Sequence, residues 1–276
     1  MVSIKYGKHL NKQLPPIVYI WRDLLLYIGQ LPPNKHHSIA VDTFSMNLEH
    51  PFNVTLDEGK SWKKLRSVLW PANCPHQSIF NNDVMVFCIM EPTLRICDII
   101  KKKMQFDKGD YLVQYYNEDK AMDAFTNLYN HRPDTDTAWN FLCSIFNPGH
   151  TSYTDYINHS LDKRIHSVTS LIKQAPEQNY SIRYFANHIN LSPSRLEHLF
   201  KQQTNIPIAR YRMWLRIKQH INFMGLKKTL TDASIEAGFV DAAHFCRTFR
   251  YIVGMTPSSF YLSPKGIEIL VANDFS

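Results

Sequence analysis

No stretch of this 276-residue sequence approaches the roughly 20 consecutive apolar residues that span a bilayer; the best candidate, Ile17 to Ile28, is broken by Arg22 and Asp23. Residues Met1 to Leu10 carry Lys5, Lys8 and His9 with no apolar segment behind them, so no secretory signal is expected. The five cysteines, Cys74, Cys88, Cys97, Cys143 and Cys246, are odd in number and scattered, and none makes a C-x-x-C pair. That argues against a disulfide framework or a zinc ribbon and for a cytoplasmic chain with reduced thiols, away from any membrane. Gly-rich phosphate loops and serine-nucleophile elbows are missing too. The expectation is a non-enzyme without a cofactor.

What is present is uneven. Lys and Arg number 31 against 24 Asp and Glu, a net of +7. Residues 161–264 hold 14 basic and 6 acidic side chains, leaving 17 and 18 elsewhere. The basic excess therefore sits wholly in the last third, the pattern of a polyanion-binding module joined to a neutral domain. The length favours two domains over one.

The front half alternates as strands do. Phe44, Met46 and Leu48 interleave with Ser45 and Asn47, then Phe52, Val54 and Leu56 with Asn53 and Thr55. Leu65–Trp70 and Val84–Met90 read as further strands, and many short strands at close spacing suggest a small barrel or sandwich. From Pro92 the period becomes helical: Leu94, Ile96, Ile99 and Ile100, then Ala121, Phe125 and Leu128, then Trp139, Leu142 and Ile145. These helices are expected to cover the barrel or to pair with a second subunit. Pro148, Gly149, Ser152 and Thr154 have loop chemistry.

The last third is helical with clear punctuation. Ser181 and Ser192 are placed to cap helices, Pro193 falls at a first helical position, and Asn205 is suited to a left-handed stop. Pro207 opens a long helix reaching about Met224, and Thr229 with Asp232 resembles a capping box. Shifting the sequence by 49 places Ser192 on Asp241, Leu196 on Phe245, Phe200 on Phe249 and Tyr211 on Phe260. Two helix-turn-helix units thus follow one another, joined by a helix about 27 Å long at 1.5 Å per residue. Successive major-groove faces on one side of a duplex lie about 34 Å apart, so double-stranded DNA is the expected partner.

Leu191-Ser-Pro-Ser-Arg-Leu-Glu-His-Leu-Phe200-Lys, Ala237-Gly-Phe239, His244-Phe-Cys-Arg-Thr-Phe249-Arg and Gly254-Met-Thr-Pro257-Ser-Ser-Phe260 resemble the DNA-binding domain of AraC/XylS-type transcription regulators over about residues 160–262. Two positions depart from that pattern: Ala233-Ser234, where the family has a large aliphatic followed by Ala, and Asn205, where it prefers Gly. Family geometry implies that Ser194, Glu197 and His198 face bases, with Arg195 and Lys201 nearer phosphates. A glutamate there accepts from cytosine N4 and a histidine donates to guanine. The matching positions of the second unit are Asp241, Ala242, Ala243, His244, Arg247 and Arg250. Two alanines offer at most a thymine-methyl contact, so this unit is expected to discriminate bases less than the first.

The front half, with His36-His37 and Pro71-Ala-Asn-Cys-Pro-His76, resembles the cupin-like barrels fused to many such regulators. Metal-binding cupins carry H-x-H, whose spacing of two brings both imidazoles to one face. His36 and His37 are adjacent, no acid follows them closely, and Asn73 stands where a later Gly is usual, so no metal is expected. Cys74-Pro-His76 inverts the Pro-Cys-His order of methyl-accepting repair regulators and reads as a structural thiol.

The expected fold is therefore α+β in two domains: a cupin-like β-barrel with flanking helices, then an all-α domain with two helix-turn-helix motifs. The expected boundaries are an arm at 1–16, a sensor and dimerisation domain at 17–146, a linker at 147–158, the DNA-binding domain at 159–262 and a tail at 263–276. The resemblance implies a regulator responsive to a small-molecule effector, enclosed by Phe44, Met46, Trp62, Trp70 and His76. A homodimer is expected, with RNA polymerase a candidate partner. The alternative is a DNA-binding regulator whose barrel is only a dimerisation or partner-contact scaffold.

Overall fold

The computed structural model describes residues 9–106, 111–261 and 266–273; residues 1–8 of the expected arm lie outside them. The apolar run noted above folds as a hairpin. Strand β1 (Ile17–Trp21) and strand β2 (Leu24–Gln30) pair antiparallel, and Arg22-Asp23 makes the turn. Then come β3 (Asp42–Asn47), β4 (Phe52–Thr55), β5 (Lys63–Leu65), β6 (Ser67–Trp70), β7 (Gln77–Ile79) and β8 (Val84–Met90). Helix α1 (Ile96–Lys101), strands β9 (Met104–Phe106) and β10 (Leu112–Tyr115), and helices α2 (Glu118–His131) and α3 (Thr135–Phe146) complete the front half.

The barrel expected from the alternation does not close. The strands form an eight-stranded sheet, β1, β2, β8, β3, β6, β10 and β9 in spatial order with a last chain segment at its far edge, and a separate sheet ordered β5-β4-β7. Among the described residues the two edges of the large sheet do not pair. Both its faces are covered instead, which is why β1 and β2 are buried almost throughout. One face carries Phe44, Met46, Leu69 and Cys88 against α1–α3, through Phe125, Leu128, Leu142 and Phe146. The other carries Val18, Ile20, Tyr27 and Trp70, and its core continues into the C-terminal helices.

Those helices are α4 (Lys163–Gln174), α5 (Ile182–His188), α6 (Pro193–Thr204), α7 (Ile208–Gly225), α8 (Leu230–Glu236), α9 (Ala242–Val253) and α10 (Pro257–Tyr261). The stretch 147–158 is packed rather than free. Tyr156 is fully buried, its carbonyl accepts from Arg95 N at 2.8 Å, and Asn158 N donates to Thr93 O at 2.8 Å. At the other end, β11 (Glu268–Val271) pairs parallel with β1, Ile17 opposite Glu268, and supplies the edge strand named above. A parallel neighbour needs a long crossover, and here the connection from β1 to β11 takes in the rest of the sheet and the whole helical domain. Gly225 on α7 lies under β11, where an added Cβ would come 2.8 Å from Ile269 Cγ2.

One core histidine makes stability depend on pH. His220 of α7 is fully buried, stacks on Phe245 at 3.6 Å, and has Nδ1 3.1 Å from the Tyr261 hydroxyl. Burial pushes its pKa down from 6.5 to about 4. The unfolded chain therefore takes up this proton near pH 6.5 while the folded chain stays neutral until about pH 4. The stabilising contribution is complete above about 6.5 and is lost as pH falls through that window, about 2 kcal/mol by pH 5. Denaturant unfolding of the wild type and His220→Phe at pH 7 and pH 5 checks this. The variant should lose about 2 kcal/mol less between the two.

Candidate nucleic-acid interface

Each helix-turn-helix unit is built from local chemistry. In the first, Ser181 Oγ accepts from Tyr184 N at 3.2 Å, Asn190 takes φ +53° in the turn, and Ser192 Oγ accepts from Arg195 N at 3.3 Å with Pro193 at the first position of α6. Asn205, at φ +59°, ends α6 with its N–H on Lys201 O. In the second, Thr229 Oγ1 accepts from Asp232 N at 3.1 Å, and Asp241 Oδ1 accepts from His244 N at 2.6 Å. Gly238 has φ +86°, and a Cβ there would come 2.5 Å from the Glu177 backbone, so only glycine lets this turn seat on the α4–α5 loop. Ser234 is buried with its hydroxyl donating to Leu230 O at 2.7 Å, occupying little of the α8 core. Helix α7 joins the units with 18 residues.

The first unit leaves Ser194, Arg195, Glu197, His198 and Lys201 all exposed on α6, opposite buried Leu196, Leu199 and Phe200. In the second, Asp241, Ala243, Arg247 and Arg250 are exposed, and Ala242 and His244 are half-buried. Asp241 is occupied by its cap, and the His244 ring packs edge-on against Phe239 with centroids 5.5 Å apart. Arginines 247 and 250 remain as the long polar side chains of that face. By contrast, Arg212 and Arg216 of α7 turn inward, donating to the carbonyls of Gln178 and Tyr180 and of Pro176 and Glu177, and burial lowers both pKa values.

The five residues expected around an effector do not share a cavity. In β3, Phe44 and Met46 pair with Leu69 and Ser67 and face α1–α3, whereas Trp70 pairs with Thr43 and faces the other way. Trp70 stacks on His76 at 4.0 Å, interplanar angle 6°. Trp62 lies in the β4–β5 connection beside Gly59 and is 41% exposed. Two cavities lie at the seam between the domains instead. One of about 460 Å³ is lined by Ile20, Arg22, Ser170, Lys173, Leu215 and Lys218. A second, about 50 Å³ and almost wholly apolar, is lined by residues including His37, His76, Trp214 and Met255. Burial lowers the pKa of His37 to about 4 and of His76 to about 3.

A buried ionic cluster bolts that seam and was not visible in the sequence. Glu91 accepts from Lys218 Nζ at 2.7 Å and from the Tyr211 hydroxyl at 2.9 Å, and lies 2.9 Å from Lys173 Nζ. Asp23 pairs with Lys173 and accepts from the Tyr153 hydroxyl at 2.5 Å. These partners stand 82 to 150 residues apart, so no spacing rule reaches them.

Fold and site together define a two-domain chain with a sheet-and-helix front half and a tandem helix-turn-helix back half. Residues 185–261 match the family of helix-turn-helix domains. The chain is 34% identical over 110 residues to the arabinose operon regulatory protein of Escherichia coli K12, covering 38% of either chain. It is 26% identical over 98 residues to the transcriptional activator RhaR of Mannheimia succiniciproducens, covering 35% of this chain and 36% of that one. The match thus spans less than two-fifths of these relatives. Apo ToxT from Vibrio cholerae superposes over 86% of this chain and 96% of its own at TM-score 0.60 and 13% identity. Unsaturated fatty acid-bound ToxT covers 86% and 94% at 0.55 and 14%. Residues 185–261 thus form a helix-turn-helix domain, and the chain as a whole has the two-domain α+β fold seen in ToxT.

Proposed function

We propose that this chain is a sequence-specific DNA-binding transcription regulator of the AraC/XylS type, acting in the cytoplasm and not as an enzyme. The observation that carries the reading is the pair of capped recognition helices, α6 and α9, each with an exposed polar face, at the two ends of α7. Ser194, Glu197 and His198 read bases, Arg195 and Lys201 hold phosphates, and Arg247 and Arg250 carry the polar contacts of the second unit. Residues 159–262 form the DNA-binding domain and 17–146 the sensor domain. The functional unit is a homodimer, and RNA polymerase is the partner at promoters.

The sensor responds to an unsaturated carboxylic acid held at the domain seam. Support comes from ToxT, solved with an unsaturated fatty acid and with a naphthalenyl butenoic acid, and from Arg22, which lines the larger seam cavity beside the ion-paired Lys173 and Lys218. A ligand acts only by binding two arrangements of the protein unequally. A cavity between the domains meets that requirement, since its walls move when they move.

The test is to sequence the genomic fragments that the purified full-length chain retains, with and without a long-chain unsaturated acid. The fragments should share a two-part motif with centres about one helical turn apart. Scrambling the part read by α6 should weaken retention more than scrambling the other, and the acid should change retention. A fragment pool without a common motif would overturn the reading.

A further inference from the structure

The smaller seam cavity holds an arrangement that the regulator reading does not use. His37 and His76 form an isolated antiparallel bridge, His37 N donating to His76 O at 3.0 Å and His76 N to His37 O at 2.8 Å. Directly opposed residues of such a pair project to one face. The imidazoles accordingly lie side by side, with centroids 4.5 Å apart, and both line the same cavity. His36, the neighbour that drew attention in the sequence, is exposed.

Each ring is fixed by its other nitrogen. His37 Nδ1 lies 2.9 Å from Lys35 O, and His76 Nδ1 lies 2.9 Å from Cys74 O. A carbonyl only accepts, so Nδ1 carries the proton in both rings and Nε2 keeps its lone pair. A backbone carbonyl on the far nitrogen is the outer partner that metal-bound histidines generally have. The rings are also held in place. Trp70 stacks on His76, and Gly254 lies so close to His37 that a Cβ would come 2.5 Å from its ring.

The remaining walls select the occupant. Met255, from the turn after α9, brings a thioether to the cavity, while Leu25, Phe249 and Phe260 are apolar. Among the described residues no Asp, Glu, Lys or Arg lines it. A dication there would have no counter-charge, and an unpaired buried charge is costly; a monovalent ion carries half that charge. A thioether favours soft metals such as Cu(I), and imidazole accepts copper among other transition metals. The volume, about 50 Å³, suits one ion; organic ligands occupy pockets of roughly 300–1,000 Å³.

We propose that His37, His76 and Met255 form a binding site for one soft monovalent metal ion of the Cu(I) class, which ties the front domain to the DNA-binding domain. Two ligands come from one domain and the third from the other, so occupancy favours the docked arrangement.

The test uses the full-length chain, reduced and anaerobic, titrated with Cu(I) against a chromophoric chelator. A Cys74→Ser, Cys246→Ser background removes the two half-buried thiols as competing ligands. One equivalent should bind, with X-ray absorption showing nitrogen and sulfur donors and with Zn(II) failing to compete. His76→Phe, which keeps a ring on Trp70, should weaken uptake by more than about 100-fold, beyond the usual cost of an outer partner. Met255→Leu preserves volume and fold; it should weaken uptake about tenfold and shrink the rise in Tm on adding Cu(I). Absence of uptake in the serine background, or uptake indifferent to both variants, would overturn the proposal.

Discussion

Replacing Glu91 with alanine should cost about 3–5 kcal/mol and split one unfolding transition into two, because it strands buried charge at the seam. Glu91 is 1% exposed and faces two ammonium groups, Lys173 and Lys218, with Asp23 the second carboxylate of the cluster. Burial alone would raise the Asp23 pKa, but Lys173 and Lys218 overcome it and hold the carboxyl below its usual range. Burial likewise works against the charge of Lys173, and Glu91 and Asp23 reverse the outcome. Without Glu91 two cations share one anion, and Lys218 keeps chiefly the Arg22 carbonyl that its Nζ also reaches at 2.5 Å. Since Asp23 and Glu91 belong to the front domain and the lysines to the back, the penalty falls on docking before it falls on either core. Calorimetry of the full chain should then resolve two transitions. Removing the charges together, in Glu91→Leu with Lys218→Met, should recover most of the loss. A Glu91→Ala protein that unfolds in one transition within about 1 kcal/mol of the wild type would show that the cluster bears no such load.

The same cluster marks where reading the sequence stops. The helix-turn-helix units were legible because their signals are local: Ser192 before Pro193, Thr229 three residues before Asp232, Asn205 and Gly238 at left-handed turns, and a long helix expected over 207–224 and observed over Ile208–Gly225. Strand Val84–Met90 was legible for the same reason. Pairing partners were not. Alternation places Phe44 and Met46 on one face of β3, yet it cannot tell which residue of β6 stands opposite, and that register puts Trp70 on the other face. Nor does composition reveal that Glu268–Val271 returns to the first strand, or that His37 rather than His36 meets His76, because long-range pairing carries no local pattern.

Raising salt from about 50 to about 200 mM should weaken duplex binding about 150-fold, and the size of that fall identifies which cations touch DNA. Arg195, Lys201, Arg247 and Arg250 are the exposed cations of the two recognition helices. Four neutralised phosphates give a slope of about −3.6 in log affinity against log salt, at about 0.9 per phosphate. Substituting any one of them with alanine should move the slope by about 0.9 where it meets a phosphate. Arg212 and Arg216 make the internal control. Their guanidinium groups are spent on the carbonyls of residues 176–180, so alanine there should lower stability and leave the slope alone. Arg210, held by Ser38 and lying over the Tyr251 ring at 4.8 Å, should behave likewise. A slope shallower than about −1, or one that depends on Arg216 as strongly as on Lys201, would place the duplex on a different face of the helical domain from the one presented by α6 and α9.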